Sequence, residues 1–196
     1  MTDIRFKLLI ASFVLLLPLG ASAAKKCPTL KGKPLVYAIG SSTLGSHLGG
    51  ILARDLKKAG FKFRKWARAS SGLARPDFHD WLEKVPDIAA EWKPDAFVIS
   101  LGTNDYQALR LKNGKWIKPE KLEKWKQVYA TRVDQLLRRT SGKDRKRVVV
   151  WIGPTPFRGT RARKLSRVIN DIIMSRIQAF DGPAFFVNVY GKIVSK

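Results

Sequence analysis

Three stretches of this 196-residue chain are almost continuously apolar: PLVYAIG at 34–40, DAFVISLG at 95–102 and RVVVWIG at 147–153. They are too short to cross a membrane and lack the alternation of a strand with one wet face. They therefore predict strands buried on both sides, as in a parallel sheet covered by helices. Helical stripes separate them. Leu44, Leu48, Ile51, Leu52, Leu56 and Ala59 form one, with Gly60 as a stop. Leu122, Trp125, Tyr129, Val133 and Leu136 form another behind Pro119, which can open a helix. Leu165, Ile169, Ile172, Ile173, Ile177 and Phe180 form a third. FKFRKWA at 61–67 alternates as a half-buried strand, and AFFVNVY at 184–190 reads as a final strand. The expected fold is α/β, a three-layer α/β/α, flavodoxin-like open parallel sheet of about five strands. No internal repeat, low-complexity tract or linker divides it.

The amino terminus has a different design. Arg5 and Lys7 precede an apolar stretch from Leu8 to Leu19, followed by the small-x-small pattern Ala21-Ser22-Ala23. Residues 1–23 are thus expected to be a secretory signal peptide, shorter than the roughly 20 apolar residues a bilayer crossing needs. The product would be periplasmic or secreted, without stable membrane insertion after cleavage. Residues 24–196 would form the domain, large enough for a real core. Cys27 is the only cysteine, so neither an intrachain disulfide, a thiol nucleophile nor a cysteine-rich metal site is expected.

The formal net charge is +23, with dense runs RRTSGKDRKR at 138–147 and RGTRARKLSR at 158–167. Such a field favours anionic surroundings: an acidic polysaccharide, nucleic acid or an anionic membrane face. No nucleic-acid module accompanies it, so an anionic polymer stays open as a partner beside the plain reading of a solvated charged surface, and a specific nucleic acid is not expected.

Open parallel sheets carry their sites at the carboxyl ends of the strands. There the sequence places Gly40-Ser41-Ser42-Thr43, then Ser70-Ser71-Gly72-Leu73-Ala74-Arg75-Pro76-Asp77, then Gly102-Thr103-Asn104-Asp105, then Gly153-Pro154-Thr155-Pro156. A serine after a strand is ordinarily a turn residue or a helix cap; these blocks are informative in combination. IGSSTLGSHLGG at 39–50 contains neither Gly-x-x-x-x-Gly-Lys-Ser/Thr nor Gly-x-Gly-x-x-Gly, which argues against a nucleotide site and leaves no cofactor to expect.

The order of these blocks resembles the SGNH (GDSL-type) hydrolases from about residue 34 to 190. Gly102-Thr103-Asn104-Asp105 matches that family's third block, and SSGLARPDFHDW at 70–81 is similar to an exported subgroup. The resemblance implies a serine esterase or acyl-ester hydrolase, acting on an acylated small molecule or polysaccharide. Ser42 takes the nucleophile's place, while Gly72 and Asn104 take the oxyanion-binding places. The chemistry suits them. A hydroxyl on a sharp turn can attack an ester carbonyl, and the N–H groups of Ser42 and Gly72 with the Asn104 amide supply three donors for the oxyanion.

Two departures stand out. Ser41 occupies the position where the family carries aspartate, and Ser41 itself is the alternative nucleophile. The Asp-x-x-His block that supplies the family's base is not found after the last strand, so the domain is expected to be carboxyl-terminally incomplete. The two histidines are His47, in the first helix, and His79, flanked by Asp77 and Asp80. His79 is the substitute base to examine. A serine without a base is a poor nucleophile, so a catalytically inactive member that binds an anionic glycan is the alternative function. Trp81 and Trp116 are candidate sugar platforms, with core packing as the ordinary use of tryptophan.

Overall fold

A computed structural model describes residue 25, residues 28–156 and residues 159–194. The leader expected over residues 1–23, and Cys27, lie outside the described residues.

The chain alternates strand and helix. Its elements are β1 (Leu35–Gly40), a π-helical turn (Leu44–Leu48), α1 (Gly49–Lys58), β2 (Lys62–Ala67), α2 (Trp81–Trp92) and β3 (Ala96–Ser100). A two-strand hairpin follows, β4 (Leu109–Arg110) and β5 (Trp116–Ile117), then α3 (Leu122–Ser141), β6 (Val148–Ile152), α4 (Thr160–Ala179), β7 (Ala184–Val187) and α5 (Val189–Val194). The main sheet has the order β2-β1-β3-β6-β7, and every pair in it is parallel. This is the expected five-stranded flavodoxin-like arrangement.

Period-two alternation along β1, β3 and β6 divides the core into two layers. Tyr37, Ile39, Phe97, Ile99, Val149 and Trp151 face one side, where Trp81, Val85 and Ile88 of α2, the buried stripe of α3 and Ile169, Ile173 and Ile177 of α4 cover them. Val36, Ala38, Ala96, Val98 and Val148 face the other side, under Leu44 and under Leu52 and Leu56 of α1. That second layer is thinner: Val150, Ile152 and Phe185 are only half-buried. The edge strand β2 exposes Lys62, Arg64 and Lys65, charges that discourage another chain from pairing there.

Four stretches of the chain depart from the sequence expectation. The single helix expected from Leu44 to Ala59 is broken, with Ser46 non-helical at ψ −132°. Glycines at 45, 49 and 50 weaken helix propensity there. The helix expected to open at Pro119 starts at Leu122, after a turn closed by the Lys121 N–H on the Lys118 carbonyl. The last strand stops at Val187 rather than Tyr190, because the Asn188 side chain accepts the Gly191 N–H at 2.7 Å and caps α5. Finally, α2 and the hairpin fill the interval between β2 and β6 in which only β3 and the Pro119 helix had been anticipated.

Helix α3 carries the site from behind. Trp125 and Tyr129 are fully buried and stacked, centroids 5.0 Å apart, and the Trp125 indole N–H donates to the Gln107 carbonyl at 2.9 Å. Trp125→Ala should cost about 3–5 kcal/mol in urea denaturation. A loss below about 1 kcal/mol would show that this helix face is not the support described.

Candidate functional site

The carboxyl edges of β1, β2 and β3 are level: Gly40 is in register with Ala67 on one side and Ser100 on the other. The chain leaves β1 pinned to both neighbours. The Ser41 N–H donates to the Ser100 carbonyl at 3.2 Å, and the Arg68 N–H donates to the Gly40 carbonyl at 2.9 Å. A Cβ on Gly40 would come within 2.7 Å of the Ser100 oxygen, so the turn admits only glycine. Helical backbone begins at once. The N–H groups of Leu44 and Gly45 both donate to the Ser41 carbonyl at 3.1 Å, and Leu44 is fully buried as the anchor.

The two serines therefore have opposite fates. Ser41 is fully buried and its Oγ has no hydrogen-bond partner, whereas Ser42 is exposed at the start of the turn. His47 is exposed on the same turn.

The loop after β2 is held by the loop after β3. Asn104 Nδ2 donates to the Ser71 carbonyl at 2.9 Å. Asp105, fully buried, accepts the Ala74 N–H on Oδ1 at 2.8 Å and the Tyr129 hydroxyl on Oδ2 at 2.8 Å. The Leu73 N–H also donates to this carboxylate. Gly72 packs directly on it: a Cβ there would lie 2.1 Å from Oδ1. From the opposite side, Arg132 on α3 donates to the carbonyls of Leu73, at 2.6 Å, and Ala74, at 3.1 Å, and also to that of Arg110. One carboxylate thus takes the loop's N–H groups while one guanidinium takes its C=O groups. Burial pushes the Asp105 carboxyl above the usual carboxylate range, opposed by the loop N–H groups, the Tyr129 hydroxyl and Arg132. Burial and the Asp105 charge together hold the Tyr129 phenol well above its ordinary range.

His79 is a wedge. Its ring lies edge-on to Trp81 at 4.4 Å and to Trp66 at 5.6 Å, and its Nε2 is buried without a hydrogen-bond partner. Burial first, then Arg68 and Lys84, lowers its pKa, with Asp80 opposing. Trp81 is 1% exposed and its indole N–H donates to Ser71 Oγ at 3.0 Å, so it is a core residue rather than a sugar platform. Trp116 is 46% exposed on β5. A small cavity of about 70 Å³ lies beside Gly72 and Leu73, between His79, Trp81, Arg132 and Gln135.

The bonds just described put Gly72 and Asn104 at one edge and in one hydrogen-bonded unit, with Ser42 on the neighbouring turn. Sequence reasoning did not find Tyr129 and Arg132. The available signal was an arginine beside the Trp125–Tyr129–Val133 stripe of an otherwise apolar helix face. Among the described residues, no group of three or more His, Cys, Asp or Glu could hold a metal ion, and no helix is long and apolar enough to cross a membrane.

A family model described as "Protein of unknown function (DUF459)" matches residues 35–195. The chain belongs to the DUF459 family. No curated protein matches it in sequence. Among solved structures, the DUF459 chain is similar to AlinE4, an SGNH-hydrolase family esterase, with 17% identity over 86% of this chain and 82% of that one, and a TM-score of 0.54. It is similar to Est24, a carbohydrate acetylesterase from Sinorhizobium meliloti, with 14% identity, coverage of 79% and 84%, and a TM-score of 0.56. The salicylyl-acyltransferase SsfX3 from a tetracycline biosynthetic pathway aligns at 10% identity over 83% of this chain and 45% of that one, TM-score 0.52. The DUF459 chain therefore has the SGNH-hydrolase fold, which its loop motifs suggested.

Two predictions follow from the geometry of the DUF459 site. Asp105→Ala strands two backbone N–H groups and a phenol and removes the charge nearest the half-buried Arg132; it should cost about 3–5 kcal/mol, against about 1–2 for Tyr129→Phe, both read from denaturant midpoints. Equal midpoints for the Asp105 variant and the wild type would contradict the clamp. His79 is held neutral, so the unfolded chain takes up its proton first as pH falls through about 6.5; stability is full above that value and is lost below it. His79→Phe should flatten the fall in Tm between about pH 7.5 and 5.5, and an unchanged slope would refute the buried-neutral assignment.

Proposed function

We propose that this protein is an exported SGNH-type serine esterase that removes acyl groups from acylated glycans. The observation that carries the reading is the pairing of an exposed Ser42 with a neighbouring loop unit in which Asp105 fixes Gly72 and the Ser71 carbonyl engages one Asn104 amide proton. A tetrahedral oxyanion needs donors aimed at it before the reaction starts. In this reading the Gly72 N–H, the Ser42 N–H and the second Asn104 amide proton provide them. Ser42 Oγ bonds to the acyl carbon as its proton leaves for a base, the alcohol departs with a proton, and water then releases the acid.

The base is the least local part of the reading. The His79 Nε2 is enclosed by rings and suited to packing rather than proton transfer. By the family resemblance the base would be the histidine of an Asp-x-x-His block, and neither His47 nor His79 stands in one. The glycan and the acyl group are suggested by the carbohydrate acetylesterase among the fold relatives, and export by the leader over residues 1–23. The enclosed His79 nitrogen also favours a second reading, a catalytically inactive member that binds an anionic glycan at the same sheet edge.

Free imidazole can stand in for a histidine. Added imidazole should raise p-nitrophenyl acetate hydrolysis by the 196-residue chain at least about tenfold above the Ser42→Ala variant, and Asn104→Ala should bring the rate back to near that variant's. Equal imidazole-dependent rates with and without Ser42 would overturn the esterase and leave the binder.

A further inference from the structure

Three cationic and aromatic side chains gather beside the Gly72 loop, outside the machinery assigned to the ester itself. The Arg75 and Arg110 guanidiniums each lie 4.9 Å from the centroid of the Trp116 ring, which is 46% exposed. Their position is fixed by the clamp already described. Arg75 follows the Gly72 loop, and the Arg110 N–H donates to the Ala74 carbonyl at 3.0 Å. Trp116 is paired with Arg110 across the β4–β5 hairpin. The cluster also contains a carboxylate: Arg75 Nε and Nη2 donate to Asp77 Oδ1 and Oδ2, both at 2.9 Å. On the same rim Arg68 lies 5.3 Å from the ring of Phe78, which is 47% exposed.

We propose that Trp116, Arg75 and Arg110 form a subsite for a carboxylated sugar, so that the glycan served by this edge is acidic. Both guanidiniums lie over the Trp116 ring, so a pyranose meets the exposed part of the indole that they leave uncovered, and a guanidinium fork matches a carboxylate through two parallel hydrogen bonds. Asp77 occupies the Arg75 fork with both oxygens, as a planar anion does, and Arg110 Nη1 donates to the Gly114 carbonyl. Asp77 holds Arg75 in place until a substrate carboxylate competes for it or is shared with Arg110. The subsite rests on the esterase reading only for its neighbour, the reacting acyl group; the contacts to the sugar carboxylate stand without turnover.

Equilibrium binding of an oligogalacturonate of about ten units to the whole chain tests the subsite. Trp116→Ala should raise Kd at least about tenfold. Arg75→Lys, which keeps the charge but loses the fork, should raise it about fivefold. Lys57→Gln, which removes an exposed charge at the carboxyl end of α1 and the opposite edge of the sheet, should change it less than about twofold. Thermal melting of each variant checks that the fold is intact. Equal weakening by Lys57→Gln and Trp116→Ala would overturn the subsite, since that is what a diffuse positive field produces. So would inorganic polyphosphate binding as tightly and with the same variant sensitivity. Oligogalacturonate binding with these variant losses, beside equal imidazole-dependent p-nitrophenyl acetate rates for Ser42→Ala and the wild type, would leave the subsite standing and remove the esterase; a Ser42-dependent rate with no effect of Trp116→Ala on binding would do the reverse.

Discussion

The buried carboxylate of Asp105 is the contact on which the carboxyl edge of this sheet depends. It belongs to the β3 loop, yet its partners are the backbone of the β2 loop and a phenol from α3. A carboxylate with no exposure is costly unless every lone pair is occupied. Here the occupants are the N–H groups of Leu73 and Ala74 and the Tyr129 hydroxyl, which immobilise the backbone beside Gly72. Arg132 completes the arrangement from the opposite side through the loop's carbonyl oxygens. The loop is therefore fixed by its own peptide groups.

Several local features follow. Position 72 must be glycine because the carboxylate occupies the space of a Cβ. The β4–β5 hairpin docks where it does because Arg110 shares both the Ala74 carbonyl and the Arg132 guanidinium. Trp116 and Arg75 are then brought together on the rim as a consequence of the same clamp. The network links the Gly72–Asn104 edge and the Trp116 rim mechanically, although the two use different side chains.

Legibility in the sequence tracked locality. RVVVWIG and DAFVISLG announced β6 and β3 because burial on both faces leaves an uninterrupted apolar run that few other structures produce. The fold class followed from three such runs. AFFVNVY misled at its end because its β-branched and aromatic residues favour a strand, whereas the Asn188 cap, a side-chain-to-backbone bond, turns the chain into a helix. Helix α2 carries Pro86 in its interior, which obscures its periodicity. The two-residue strands β4 and β5 are too short to have a period. Within the site, the motif blocks named Ser42, Gly72 and Asn104, and the burial of Ser41 beside an exposed Ser42 separates two adjacent serines by side-chain direction alone. Tyr129 and Arg132 lie beyond such reading because their roles exist only once α3 is laid against the two loops.

The central claim is that a hydroxyl on one turn faces donors that a buried carboxylate holds on the next. A crystal structure of the chain reacted with a fluorophosphonate in the presence of imidazole tests this most directly. The account predicts phosphorus bonded to Ser42 Oγ, with the phosphoryl oxygen about 3 Å from both the Gly72 nitrogen and Asn104 Nδ2. An adduct on Ser41 or elsewhere, or an oxygen turned away from Gly72 and Asn104, would contradict it.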